Sequence, residues 1–397
     1  MHLFLFLLVV TLGLSCEQAT PTPAPPPSAA FQWPFAQENN RDSAQLFIDS
    51  LLLQTEQGQY GHIDALLIIQ DDSILWERQF SNDYAQISQG KTGKMGCGSG
   101  SCSDSNAIHL YNYYHPKYHP YYLDSDLHSL QSVTKSIAST LIALAIQEGK
   151  LSLQDPLYPY FKDDTTLSQA MQAQLKEATL EDVLTMRLGL NWLEMGTTLE
   201  MENNVTAMEQ SADWVAYTLQ QTIDTVPGAV WNYNSGASQL LAFILEQATQ
   251  QTLEDYAEQH LFGPLGINHY YWKKTPTGLA DTEGGLYLKA RDLAKIGRLY
   301  LQKGQWQGQQ ILSKAWIEKA WSKHSIDLAQ DGSTDGYGYQ WWISQEEKHG
   351  VFALGYGNQV LVVIPQKNII AVVLAWNVFE EEHEVIFRDL GLVFDYL

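Results

Sequence analysis

The chain has 397 residues, 45% apolar and 17% charged, enough for a large buried core and too long for a minimal domain. Its 45 acidic and 23 basic residues leave a formal net charge of −22. A surface this acidic repels a polyphosphate backbone, which argues against nucleic acid as a partner and leaves one large domain with an insertion, or two lobes, as the expected organisation.

Leu3 to Leu12 is an apolar run too short to span a bilayer, and it fits the core of a signal peptide. Only Met1-His2 precede it, without a Lys or Arg. Gly13-Leu14-Ser15-Cys16 then resembles a bacterial lipoprotein processing site, although a leucine is usual where Gly13 stands. Ordinary secretion with Cys16 discarded is the other reading. Residues 1–16 are therefore expected to be a signal peptide of lipoprotein type. Residues 17–35 are expected to be a tether, with five prolines between Glu17 and Ala30. Residues 36–397 remain as the folded domain. The protein is expected to be exported, to the bacterial periplasm or the outer membrane through a lipid on Cys16, or secreted. Its membrane contact would run through that lipid alone.

Ala65–Gln70 and Ser73–Phe80 flank Asp71-Asp72, a strand–turn–strand pattern. Gly90 to Ser105 is Gly/Ser-rich and reads as a surface loop. Within it Cys97 and Cys102 flank four small residues and, in an exported protein, suit a disulfide. A zinc site would need two more ligands. His109, His115, His119 and His128 keep that open, but their spacing matches no standard finger, and packing among the neighbouring tyrosines is the plainer reading.

Ser132-Val133-Thr134-Lys135 opens the segment Ser132–Lys150, in which Val133, Ile137, Leu141, Ile142, Ala145 and Ile146 predict a largely buried helix. Gly149 and Lys150 give it a stop. Residues three apart share a helix face, so Lys135 would stand beside the Ser132 hydroxyl and accept its proton. The S-x-x-K spacing is a known serine-nucleophile motif. A second match, Ser88-Gln89-Gly90-Lys91, leads into the loop instead. The alternative for Ser132 is an ordinary helix cap with a solvated lysine.

Ser211–Gln221 and Ser235–Thr249 show helical spacing, and the stretch from Ser132 to about Leu261 is helix-rich. Tyr233, just before the second of these helices, would share the proton work if it met Ser132 and Lys135, and a nearby ammonium would lower its pKa. A buried aromatic with a bonded hydroxyl is the alternative. Gly350–Leu354, Gln359–Ile364 and Ile369–Trp376 read as strands, and Phe379–Leu397 as a closing helix. Between two of these strands lies Leu354-Gly355-Tyr356-Gly357-Asn358-Gln359. Glycines there allow close backbone approach to a ligand, and the Asn358 N–H with that of Ser132 would form an oxyanion hole. A glycine-rich turn is the alternative. Strands at both ends with helices between predict an α/β (α+β) fold: one antiparallel sheet built from the two termini, flanked by helices, with a helical lobe inserted over about 132–270.

Taken together, Gln131-Ser132-Val133-Thr134-Lys135-Ser136, Leu184-Thr185-Met186-Arg187-Leu188-Gly189-Leu190-Asn191-Trp192, Tyr233-Asn234-Ser235-Gly236, Leu261-Phe262-Gly263-Pro264-Leu265-Gly266-Ile267, Gly284-Gly285-Leu286 and Tyr337-Gly338-Tyr339-Gln340-Trp341-Trp342 resemble, in order, the β-lactamase-related serine hydrolases. That superfamily includes class C β-lactamases, D,D-peptidases, family VIII esterases and 6-aminohexanoate-dimer hydrolases. The resemblance implies the β-lactamase/transpeptidase-like fold and an acyl-enzyme mechanism. Ser132 would be the nucleophile, the Lys135/Tyr233 pair would move the proton, and the N–H groups of Ser132 and Asn358 would hold the oxyanion.

Ser235, Gly355, Tyr356 and Gly357 would contact substrate. Two of these positions depart from the family pattern. Ser235 stands where a Tyr-x-Asn motif carries its asparagine. Gly355-Tyr356-Gly357 stands where Lys-Thr-Gly or His-x-Gly carries a cation. Losing a charged hydrogen bond costs about 1.5–3 kcal/mol, which disfavours anionic β-lactams. The sequence therefore points to a serine hydrolase acting on a small ester or uncharged amide, with no cofactor and no metal. A β-lactamase or D,D-peptidase, and a non-catalytic binding lipoprotein on the same fold, are the competing readings. A retaining glycosidase using acids such as Asp281 and Glu283 is a more distant one. The sequence carries no signal for oligomeric state.

Overall fold

Asp71-Asp72 makes the two-residue turn that the flanking apolar runs predict, joining strands β1 (Ile63–Gln70) and β2 (Ser73–Gln79). Both aspartates have positive φ, 49° and 61°, the turn geometry that matches strand twist. The structure is a computed structural model and describes residues 31–36, 44–91, 111–195, 203–326, 336–344, 350–379 and 383–397. The expected signal peptide, Cys16, most of the tether, and the Cys97–Cys102 pair lie outside the described residues.

Six further strands follow: β3 (Ser325–Ile326), β4 (Gly336–Tyr337), β5 (Trp342–Ile343), β6 (Val351–Gly355), β7 (Gln359–Ile364) and β8 (Ile369–Ala375). With β1 and β2 they form an eight-stranded sheet in the order β2-β1-β8-β7-β6-β5-β4-β3. Its strand pairs are antiparallel. The two ends of the chain meet where β1 pairs with β8, from Ala65 opposite Leu374 to Gln70 opposite Ile369. This is the sheet built from both termini that the sequence predicts.

The central strands are apolar on both sides because both faces are covered. Leu67, Ile69, Leu361, Val363, Ile370 and Val372 belong to one core, together with α2 (Val133–Gln147), α3 (Ser235–Thr249) and α4 (Ala290–Leu301). Their alternates Leu66, Ile68, Val360, Val362, Ala371 and Val373 belong to a second core, with α1 (Gln45–Glu56) and α5 (Phe387–Tyr396). The period of two along each strand sorts the side chains between the faces. Each fully buried large side chain contributes about 1.5–3 kcal/mol.

Between α2 and α3 short helices start on caps readable in the sequence, such as Ser168, Thr179 with Asp182, Asn203 and Asp213. Asp213 caps Ala216, so the helix expected over Ser211–Gln221 spans only Trp214–Leu219. The closing helix is also shorter than expected. After β8 the Asn377 N–H donates to Gly357 O (3.1 Å) and its Nδ2 to Tyr60 O (2.8 Å), which keeps the chain off a helical path. His128–Ser129, Leu286–Leu288 and Tyr271–Trp272 form a small second sheet whose strands are too short to carry an alternation signal. It anchors the turn before α2, because the Leu130 N–H donates to Leu286 O at 2.9 Å.

Candidate active site

Ser132 sits at the N-terminal end of α2 with φ −64° and ψ −7°, and its side chain makes no capping bond. The ordinary-cap reading therefore does not describe it. Gln131, just before it, is held at φ 48°, a conformation few non-glycine residues adopt. That left-handed residue turns the chain sharply into α2. Among the described residues the Ser132 N–H donates to no backbone carbonyl.

The Ser132 hydroxyl is engaged from two sides. Lys135, one turn on, brings Nζ to 2.8 Å from Ser132 Oγ. The Tyr233 phenol stands near the same serine, whose side chain favours the ionised phenol against burial. Lys135 Nζ also lies 5.2 Å from the centre of the Tyr233 ring. Three side chains from two distant segments thus converge. Tyr233 is placed by its neighbours: the Asn232 N–H donates to Met186 O (2.9 Å), and Asn234 caps α3 through Ala237 (2.8 Å). Its ring stacks on Trp342 at 5.6 Å, beside Trp231 and Tyr337. The adjacent Trp341 is fully buried core.

Three acids that the motifs do not mark as site residues, Glu283, Glu194 and Asp281, act on this group. Lys135 Nζ donates to Glu283 O at 2.6 Å and lies 3.5 Å from Glu283 Oε2. The ammonium thus has an acceptor for each of its protons. Burial works against its charge, but Tyr233, Glu283, Glu194 and Asp281 outweigh burial and push Lys135 up to about 12. The expected lowering of Tyr233 does not occur. Burial pushes its phenol up, Lys135 pulls it back only in part, and Glu194 adds to the rise. Asp281 and Glu283 serve this buried lysine and its loop, an arrangement unlike the cleft-flanking acid pair of a glycosidase.

Ser235 is engaged inside the protein. It is fully buried, and both its groups are spent on Glu194: N–H to Oε2 at 2.9 Å and Oγ to Oε1 at 2.6 Å. Trp192 Nε1 donates to the same Oε2 at 2.7 Å. Ser235 thus anchors Glu194. The sequence signal was the missing asparagine, which left a short hydroxyl facing an acid 41 residues away.

Gly355 lies hard against the nucleophile turn. A Cβ there would stand 2.4 Å from Leu130 O and 3.0 Å from Gln131 Cβ. The strand end carrying it runs past the last β5 pairing, Trp342 opposite Phe352. Tyr356 follows, 41% exposed. Gly357, at φ 78°, accepts the Asn377 N–H at 3.1 Å, and Asn358, at φ 70°, closes the hairpin before β7. The structure thus ties Gly355 directly to the serine turn, and Asn358 belongs to the same hairpin.

The second S-x-x-K match goes elsewhere. Ser88 Oγ donates to Tyr84 O at 2.6 Å, and Lys91 lies over the Phe379 ring. Of the candidate histidines, His119 stacks on Trp376 and His128 Nε2 is 3.1 Å from Asp64 Oδ2, while His109 lies outside the described residues. Among the described residues no cluster of His, Cys, Asp or Glu is arranged to hold a metal ion, and no helix is long and apolar enough to cross a membrane.

The family model described as Beta-lactamase matches residues 105–390. The 6-aminohexanoate-dimer hydrolase of Paenarthrobacter ureafaciens is 24% identical over 283 residues, covering 67% of this chain and 69% of its own. A beta-lactamase of Yersinia enterocolitica is 26% identical over 148 residues, 37% of this chain and 34% of its own. Among solved structures, a Bacillus anthracis protein described as a 6-aminohexanoate-dimer hydrolase superposes with a TM-score of 0.66 at 18% identity, over 94% of this chain and 87% of that one. A penicillin-binding protein from Bacillus halodurans gives 0.57 at 16% identity, over 89% and 99%. These superpositions establish the β-lactamase/transpeptidase-like fold.

Proposed function

The chain belongs to the beta-lactamase family, and from that premise we propose that it is an exported serine hydrolase that cleaves an ester or an uncharged amide through an acyl-enzyme on Ser132. The observation that carries this reading is the 2.8 Å contact of Lys135 Nζ with Ser132 Oγ, with the Tyr233 ring centre 5.2 Å from the same Nζ. As Ser132 Oγ bonds to the substrate carbonyl carbon, its proton passes to the Lys135/Tyr233 pair, once that pair has released one proton of its own. The pair then protonates the leaving alcohol or amine. Water adds to the acyl-enzyme by the reverse sequence, giving the acid and free Ser132. The proton belongs to the pair rather than to either member. The N–H groups of Ser132 and Asn358 are assigned to the oxyanion, with Gly355 holding the strand end against the serine turn.

Substrate charge decides between the enzyme readings. Gly355-Tyr356-Gly357 offers no side-chain cation to a substrate carboxylate, and Tyr356 offers an exposed aromatic face instead. Aromatic groups around Tyr233 also favour an apolar acyl or alcohol portion. The Paenarthrobacter relative is named for hydrolysis of the 6-aminohexanoate dimer, which favours an amide or ester over a β-lactam ring.

The test is turnover of a panel of neutral p-nitrophenyl esters and anilides against nitrocefin and a D-Ala-D-Ala peptide. Neutral substrates turned over at least tenfold better in kcat/KM support the proposal. Preferred turnover of nitrocefin or the peptide refutes the substrate class. Saturable binding without turnover of anything supports a binding lipoprotein instead.

A further inference from the structure

Lys135 has a second buried amine and three buried acids behind it. The loop Asp281–Gly285 brings Glu283 to Lys135 and is fastened from two sides. Asp281 Oδ1 accepts the N–H groups of Glu283 (3.2 Å) and Gly284 (2.9 Å). Thr282 is tied to α3 by its N–H to Gln239 Oε1 (2.9 Å) and its Oγ1 to Ser238 O (3.0 Å). Beneath the loop, fully buried Lys273 places Nζ 3.5 Å from Asp281 Oδ2 and 4.4 Å from the Tyr111 ring centre. Glu209, 1% exposed, accepts the Tyr113 hydroxyl on Oε1 at 2.7 Å. Among the described residues, Lys273 Nζ and Glu209 Oε2 are buried without a hydrogen-bond partner.

The charges do not cancel. Glu209, Asp281 and Glu283 face Lys135 and Lys273, three acids against two amines, while Glu194, on the other side of Lys135, is held separately by Ser235 and Trp192. A buried carboxylate without its own counter-charge is strongly disfavoured, so the cluster retains one extra proton. We infer that Glu209 carries this proton, and that Glu283, paired with Lys135 at 3.5 Å, is a positioning residue that keeps Lys135 protonated in the resting enzyme. The inference rests on the reading of Ser132 as nucleophile.

The assignment follows from the contacts. Burial and the charge of Glu283 raise Asp281, but its two backbone N–H donors and neighbouring Lys273 hold the rise to about 6. Glu283 is ion-paired with Lys135. Glu209 has only a tyrosine hydroxyl and the more distant Lys273. Burial and the charges of Glu283 and Asp281 push it well above the usual carboxyl range, against the pull of Lys273 and Tyr113. Lys135 in turn is faced by Tyr233, Glu283, Glu194 and Asp281. A negative charge beside the Lys135/Tyr233 pair holds the pair's proton more tightly, whichever member releases it. Glu283 therefore sets the pH at which the pair becomes able to accept the Ser132 proton.

The experiment is the pH dependence of the second-order rate of fluorophosphonate labelling, read by mass on the full chain. In this step Ser132 Oγ bonds to phosphorus and fluoride leaves. Glu283→Gln shifts the acid limb to lower pH by about one unit or more, and Glu283→Asp moves it back toward wild type. Glu209→Gln copies the protonated acid and leaves the limb in place. An unmoved limb in Glu283→Gln, or a limb that moves as far in Glu209→Gln, overturns the inference. If Glu283→Gln lacks a native near-ultraviolet circular dichroism spectrum, the Glu209→Gln profile decides alone. Absence of labelling in wild type overturns the serine reading and the inference with it.

Discussion

Gly355 has no room for a side chain: a methyl group on it would stand 2.4 Å from the carbonyl oxygen of Leu130, two residues before the nucleophile. The obstacle is backbone, so the strand or the serine turn must move. Misplacement of about 1 Å can cost about a hundredfold in rate. Gly355→Ala is expected to lower kcat on a neutral ester by about that factor. Steady-state kinetics on the folded variant check it, and kcat within threefold of wild type would separate this strand end from the serine.

Lys135→Met and Tyr233→Phe remove the two proton carriers. General acid–base groups contribute about 10²- to 10⁴-fold, and each variant is expected to lose kcat/KM in that range. The double variant should lose far less than the product of the two, because the pair acts as a unit. Independent, multiplicative losses in this double-mutant cycle would mean that the residues work separately.

Ser235→Ala leaves the backbone N–H on Glu194 but deletes the 2.6 Å hydroxyl bond. A buried acceptor that loses a donor costs about 1–3 kcal/mol. Urea unfolding should register that loss while KM stays within about threefold, as expected for a residue that does not touch substrate. A large rise in KM without loss of stability would return Ser235 to the binding site.

The wild-type rate is expected to rise with pH. Lys135 is pushed up to about 12, Tyr233 is also raised, and the pair must release one proton before it can take that of Ser132. Activity should still be increasing at pH ~9. A plateau reached by pH ~6 would show the pair already deprotonated there.

Stability should run the other way. Asp281 is raised by burial and by Glu283 to about 6, and Glu209 is raised further. An acid whose folded pKa lies above its unfolded value adds stability that is full below the unfolded pKa and is lost as pH rises through the folded one. The cluster's contribution is therefore greatest below pH ~4 and declines from there through ~6 and beyond. Glu209→Gln should flatten this part of the unfolding-temperature profile, and a profile unchanged from wild type would show that Glu209 binds no extra proton.

Much of this was readable before the fold was known, for identifiable reasons. Ser132 and Lys135 are three apart on a strongly apolar helix, so local spacing carries their meeting. The hairpin at Asp71-Asp72 and the strands β6 to β8 carry their own turn and period signals. Tyr233 stood out as a tyrosine at a helix entrance, but its meeting with Ser132 was implied only by the resemblance, because that approach depends on how α3 packs on α2. Glu283 reaches Lys135 across 148 residues and Glu194 reaches Ser235 across 41, and such contacts leave no periodic trace. Strands β3, β4 and β5 are two residues each, too short to show alternation.

The central claim is that the acyl group passes through Ser132. Acid quench within the first turnovers of a neutral aryl ester, followed by peptide mapping, tests it most directly. The expected result is one acyl mass on the peptide carrying Ser132, absent in Ser132→Ala, which also loses turnover. Turnover that survives in Ser132→Ala, or an acyl mass on another residue, would contradict the account.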